Sequence, residues 1–170
     1  GPLQWKTYSE VFQDVENAAK GLLAIDDLKH KREQKSCVAA LLADTSAEWQ
    51  MSAQACFLCG LPITTVYTTL GHDAMQHGLN ETETTVLFID WGQYSILKDK
   101  VLRKCPALKT IVFIGKSFVP LKTTGGAAPV QSFPTSAEVE GMTDLGPNVV
   151  MTTFEALCEI GAKQTLDLSF

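Results

Sequence analysis

Residues 66–71, Val-Tyr-Thr-Thr-Leu-Gly, leave an apolar, β-branched stretch and place two hydroxyls, a glycine and then His72 ahead of a short helical pattern. In an open α/β sheet, loops that follow a strand are where ligands bind. Thr68, Thr69 and Gly71 are therefore the candidate ligand contacts. His72 belongs to the residue type that titrates near neutral pH and suits acid–base chemistry. No Ser, Cys or carboxylate stands in an evident triad with it. The same residues also have a structural use: Thr69 can cap the helix, Asp73 suits its positive end, and Gly71 eases the turn. That use is the stronger reading, and no catalytic residue is assigned.

Other chemistry-bearing groups are weighed in the same way. Cys56 and Cys59 form a C-x-x-C, but no second pair or closely spaced histidines complete a zinc site. The pair falls near the end of a predicted helix, whereas redox pairs open one, so both read as core thiols and no metal site is expected. Lys122-Thr-Thr-Gly-Gly126 has the glycines and hydroxyls of a phosphate cradle, but no Gly-Lys-Ser/Thr follows and Ala-Ala-Pro starts a helix badly. It reads as a flexible loop. Asp90 ends an apolar strand like a ligand group, and equally well as the cap of the next helix. Trp49 shares a helix face with Ala53, Cys56 and Phe57 and reads as a core or interface anchor.

The elements that position these residues alternate. Residues 8–23 are an amphipathic helix opened by a Thr7–Glu10 capping box. A charged loop spans 26–36, where Lys29, His30, Lys31, Arg32 and Lys35 mix with acids. Cys37 to Ala43 carries no polar side chain and reads as a strand buried on both faces. A second box, Thr45–Glu48, opens a helix to Cys59, stopped by Gly60 and Pro62. Strands follow at 63–67, 84–89 and 110–114, separated by helices at 72–79 and 92–104. Residues 116–147 hold four of the seven prolines and read as an irregular or mobile connection. A strand at 148–151 and a third box, Thr152–Glu155, lead to a helix ending at Ile160. The alternation predicts an α/β fold, a mainly parallel sheet with right-handed crossovers and helices on both faces.

A chain of 170 residues is long enough for one domain with a real core. Its net charge of -5 argues against nucleic acid or an anionic membrane as a general partner. Five scattered cysteines, an odd count, suit reduced thiols inside a cell. No apolar run reaches the ~20 residues of a bilayer span, and no secretory signal is visible. Residues 1–4 contain a Gly-Pro-Leu that reads as a protease-cleavage scar.

Four segments resemble one family in its own order. Trp5-Lys-Thr-Tyr-Ser-Glu-Val11 resembles the W-x-(T/S)-Y-x-E-(L/V) element of adenylate-forming enzymes, and Ala43-Asp-Thr-Ser-Ala-Glu-Trp-Gln50 is similar to the N-x-x-E-W helix of long-chain fatty acyl-CoA synthetases. Val66-Tyr-Thr-Thr-Leu-Gly71, with Asn80-Glu-Thr-Glu83 after it, resembles their P-L-Y-D-T-L-G stretch. Phe154-Glu-Ala-Leu-Cys-Glu-Ile-Gly161 resembles the F-E-E-L-x-x-x-G helix that precedes their ATP loop. The chain departs at Asp44 or Thr45, where the family has Asn, and at Thr68, where it has Asp.

The resemblance covers nearly everything from Trp5 onward. It implies that residues 5–165 belong to the large N-terminal domain of an adenylate-forming enzyme. The parent would couple a fatty acid to coenzyme A through an acyl-adenylate, using ATP and magnesium. The family's phosphate loop, its adenine and magnesium motifs and its C-terminal domain find no counterpart before Phe170. A fragment without activity and without bound cofactor is expected, with a non-catalytic binding or interaction module of the same ancestry as the alternative. An intracellular place is expected, in the cytosol or on the cytosolic face of an organelle membrane, with membrane association of the parent left open. The fragment is also expected to self-associate through uncovered apolar surface and a free strand edge, and to be mobile after Ile160, where little is left to pack on.

Overall fold

The computed structural model describes residues 5–25, 37–115, 133–166 and 168. Among the described residues five parallel strands form one sheet: β1 (Ala39–Leu42), β2 (Ile63–Thr65), β3 (Val86–Asp90), β4 (Thr110–Ile114) and β5 (Val150–Thr153). Their order is β2-β1-β3-β4-β5. The order reverses direction at β1, so the crevice between the ends of β1 and β3 is the topological switch point. The helices are α1 (Tyr8–Ala24), α2 (Ala47–Leu58), α3 (His72–Glu81), α4 (Trp91–Leu97), α5 (Ser136–Glu140) and α6 (Phe154–Ala162).

Successive strand residues point to opposite faces, and both faces are apolar. Ala39, Leu41, Val86, Phe88, Val112 and Ile114 meet α1, α2 and α6 through Val15, Leu22, Cys56 and Leu157. Ala40, Leu42, Leu87, Ile89, Ile111 and Phe113 meet α3, α4 and α5 through Met75, Leu79, Tyr94, Leu97 and Val139. The α/β fold with helices on both faces of a parallel sheet is the one the alternation predicted.

Helices α1 and α6 touch backbone to backbone. A Cβ on Gly161 would lie 1.7 Å from the carbonyl oxygen of Asn17, and one on Gly21 would lie 2.1 Å from that of Leu157. Only glycine at both positions lets the two axes come so close. Leu166 and Leu168 pack on the same core, which corrects the expectation that residues after Ile160 have little to pack on.

Several boundaries move. The Thr7–Glu10 box is present, with the Thr7 amide donating to Glu10 Oε2 at 2.6 Å. The second helix is capped by Ser46, whose Oγ accepts from the Trp49 amide at 3.1 Å, so Thr45 does not pair with Glu48. The last helix is capped by Thr153, because Thr152 and Thr153 are still held in the ladder opposite Val112 and Phe113. The helix expected at 92–104 ends at Leu97, where the chain turns and Val101 leaves the helical region (φ -124°) before a short 3-10 turn, Leu102–Lys104. Tyr94, Leu97, Val101 and Leu102 nevertheless all reach the core, as their spacing required.

Within the stretch expected to be irregular, Thr135 and Glu138 form a full capping box and open α5. Residues 116–132, with the Lys122-Thr-Thr-Gly-Gly126 loop, and the charged loop 26–36 lie outside the described residues. Cys56 and Cys59 are core thiols; Cys59 Sγ donates to the Ala19 carbonyl at 3.2 Å, and burial pushes the Cys56 thiol far above its usual range.

Candidate functional site

The carboxyl ends of the strands deliver four residues to one edge. Asp44 follows β1, Thr68 follows β2, Asp90 ends β3 and Gly115 follows β4. Thr68 Oγ1 donates to Asp44 Oδ1 at 3.0 Å, tying the ends of β1 and β2 together. Asp90 caps α4, its Oδ1 accepting from the Gly92 amide at 2.8 Å. Its other oxygen lies against Gly115, where an added Cβ would sit 2.6 Å away. Gly115 also has φ +96°, a conformation that other residues adopt only under strain. Burial raises the Asp90 carboxyl above its ordinary value, the charge of Asp44 adds to that, and the Gly92 and Gln93 amides pull the other way.

The candidate contacts divide. Thr68 is half-buried and engaged with Asp44, while Thr69 and Gly71 are exposed. Thr69 does not cap α3. Its N-cap is Gly71, whose carbonyl accepts from the Met75 amide at 3.0 Å and which offers no side-chain bond. Gly71 has φ -66° and open space around its Cα, so the turn does not require glycine there. Asp73 does fall in the first turn of α3, where a carboxylate suits the helix dipole. Trp49 is partly buried and packs on the core, in line with an anchor. Behind the edge, Trp91 stacks on Tyr94 with ring centres 5.8 Å apart and meets Phe113 edge-on at 5.1 Å.

A concavity lies on the α1–α6 side, with a volume of about 390 Å³ and Met51, Ile114 and Phe154 among its lining residues. Lys6 closes one side and is bonded to Asp14, which raises its pKa. Cys158 lines it too, but burial and then Asp14 push its thiol up to about 12, so it is no nucleophile at neutral pH.

Carboxylates and a hydroxyl at strand ends can accept hydrogen bonds from sugar or amine groups, or balance a cation. They do not fit a phosphate chain, which needs backbone N–H groups and cations around it. Among the described residues no cluster of three or more metal-ligating side chains occurs. The edge can position and orient a ligand. Sequence reasoning missed Gly115, because neither a positive φ nor the approach of Asp90 across two strands leaves a local trace.

Comparison with known proteins gives the fold its lineage. A family model described as "AMP-binding enzyme" matches residues 1–150. Long chain acyl-CoA synthetase 8 of Arabidopsis thaliana is 31% identical over 124 residues, which are 73% of this chain and 16% of that protein. Long-chain-fatty-acid–CoA ligase 4 of Saccharomyces cerevisiae is 25% identical over 167 residues, 96% of this chain and 23% of the relative. The chain thus spans less than a quarter of the length of either. Among solved structures, the A domain of carboxylic acid reductase from Segniliparus rugosus, in complex with AMP and a co-purified carboxylic acid, superposes with a TM-score of 0.72. It covers 98% of this chain and 25% of that one at 14% identity, which speaks for the fold alone. A match across most of the chain, on the sheet that carries the strand-end carboxylates, means that this chain belongs to the AMP-binding enzyme family.

Proposed function

We propose that this chain is the N-terminal part of the large domain of a longer enzyme that activates long-chain fatty acids to acyl-CoA. The observation that carries the reading is its similarity to proteins named long-chain acyl-CoA synthetase and long-chain fatty acid–CoA ligase. In that reaction the fatty carboxylate attacks the α-phosphorus of ATP and releases pyrophosphate. The thiol of coenzyme A then attacks the acyl carbonyl and releases AMP. The charge stabilisation such steps demand comes from positioned donors and cations, with magnesium among them. The strand-end edge supplies acceptors instead, so in this reading the phosphate-handling groups lie outside the chain. Thr68, bonded to Asp44, and the exposed Thr69 and Gly71 border the cleft of the parent and shape it. The parent acts inside the cell, and the 170-residue chain alone makes no acyl-CoA.

The test is pyrophosphate release from ATP by the longer protein. Release is expected only when a long-chain fatty acid is supplied, and a preference for an amino acid or an aryl acid would overturn the substrate class. The isolated chain, titrated calorimetrically with ATP and magnesium, is expected to give no binding heat. Tight binding there would put the nucleotide site within these residues.

A further inference from the structure

Among the described residues, the turn at 67–70 is tied to the rest of the fold by one side-chain hydrogen bond. Just before it, the Val66 amide donates to the Leu41 carbonyl at 3.0 Å. The Leu70 amide then closes the turn onto the Tyr67 carbonyl at 3.1 Å. That second bond shapes the turn without fastening it to anything else. The strand behind it gives little purchase. β2 is three residues long, none of them is buried, and among the described residues it pairs with β1 alone. The link comes from Thr68, whose Oγ1 donates to Asp44 Oδ1 at 3.0 Å across 24 residues of sequence. The bond is directional. An ionised carboxylate only accepts, so position 68 has to donate. A second carboxylate there would face Asp44 with like charge, and an aliphatic side chain would leave the turn loose. Asp44 also reaches the end of β3, where its charge helps to raise the Asp90 carboxyl.

We propose that Thr68 and Asp44 are a positioning pair, in which the Thr68 hydroxyl pins the turn to the end of β1 and touches no ligand itself. The proton of that hydroxyl is already engaged, because Asp44 accepts it. What the pair contributes is the place of the turn. The turn in its place presents Thr69 together with Tyr67 and Leu70, which are 71% and 42% exposed, at the carboxyl edge of the sheet. The role in a cleft rests on the longer enzyme proposed above, whereas the pin itself does not.

Four variants test it. Thr68→Val keeps the β-branched shape and removes the donor. Thr68→Asp sets a second carboxylate against Asp44. Asp44→Asn keeps an acceptor and serves as the reference. Asp44→Asn combined with Thr68→Asp exchanges the roles, so that an amide donates to a carboxylate. In the isolated chain the bond is exposed, and Thr68→Val is expected to lower the folding constant from urea unfolding about two- to fivefold. Thr68→Asp should lose more, and the exchanged pair should return to within about twofold of Asp44→Asn. Hydrogen exchange at the Leu70 amide should follow the same order. The pin is overturned if Thr68→Asp is no worse than Thr68→Val, or if the exchanged pair is no better than Thr68→Asp. In the longer protein, kcat/KM for fatty-acid-dependent pyrophosphate release is expected to fall about tenfold in Thr68→Val, as misplaced groups in a cleft would cause. It should recover in the exchanged pair, which has no hydroxyl at position 68. Recovery of stability and exchange without recovery of kcat/KM would mean that Thr68 touches the ligand, and would overturn the positioning role. A longer protein that releases no pyrophosphate with any fatty acid defeats the enzyme reading instead, and unfolding and exchange in the isolated chain still decide the pin.

Discussion

At Gly161 the space for a side chain is already taken by a carbonyl. A methyl group there would lie 1.7 Å from the Asn17 oxygen, far inside van der Waals contact, so α1 and α6 would have to separate along their whole contact. Overpacking of this kind costs about 1–3 kcal/mol. Gly161→Ala should lower stability by at least that much in urea unfolding, while Gly78→Ala, with nothing within 4 Å, should not. Asp90 gives a second test at this scale. Its carboxyl is raised by burial and by Asp44, so the folded state favours the protonated form. The stability this contributes is fully present below the ordinary carboxylate value of about 3.9, and is lost as pH rises through the raised folded value. Asp90→Asn keeps a side-chain acceptor for the Gly92 amide. The variant should therefore gain on the parent chain as pH climbs through that window, then run parallel to it. A variant that loses stability relative to the unsubstituted chain as pH climbs would reverse the sign and sink the argument.

Among the elements, what could be read in advance was what local chemistry encodes. The apolar run at Ala39–Leu42 and the β-branched run at Thr110–Ile114 announce strands, because a two-sided buried strand has no room for polar side chains. Cap positions were less legible. Asp44-Thr45-Ser46 offers three N-cap residue types in a row, and only the path of the chain out of β1 decides that Ser46 turns its hydroxyl to the helix. Ser46→Ala should cost about 1 kcal/mol and Thr45→Ala close to nothing in thermal or urea unfolding. The reverse ranking would restore the Thr45–Glu48 box. The Thr135–Glu138 box was equally visible in the sequence, but it opens a helix of five residues behind a proline, too short to show a period. α1 carries Tyr8 and Phe12 one turn apart at 97% and 58% exposure, and Trp5, just before the helix, is 87% exposed. Such a patch favours association. Light scattering should report concentration-dependent growth of the isolated chain, reduced by Tyr8→Glu with Phe12→Lys, and a clean monomer at high concentration would contradict it.

For the whole molecule, the alternation of strands and helices made the fold class readable, whereas the strand-end site was readable only in part. Thr68 follows its strand in sequence as well as in space. Its partner Asp44 lies 24 residues away, and Gly115 meets Asp90 only because β3 and β4 are neighbours. The glycine seam has a consequence in time. α1 emerges from the ribosome before α6, and its apolar side, with Val15, Ala19 and Leu22, belongs in a core completed by α6. Gly161 is synthesised roughly 140 residues after Gly21, which at about 5–20 residues per second is a wait of some ~7–28 s. For that interval the part of the nascent helix that α6 covers stays open. A chaperone or a temporary partner near the tunnel exit would find that side of α1 accessible.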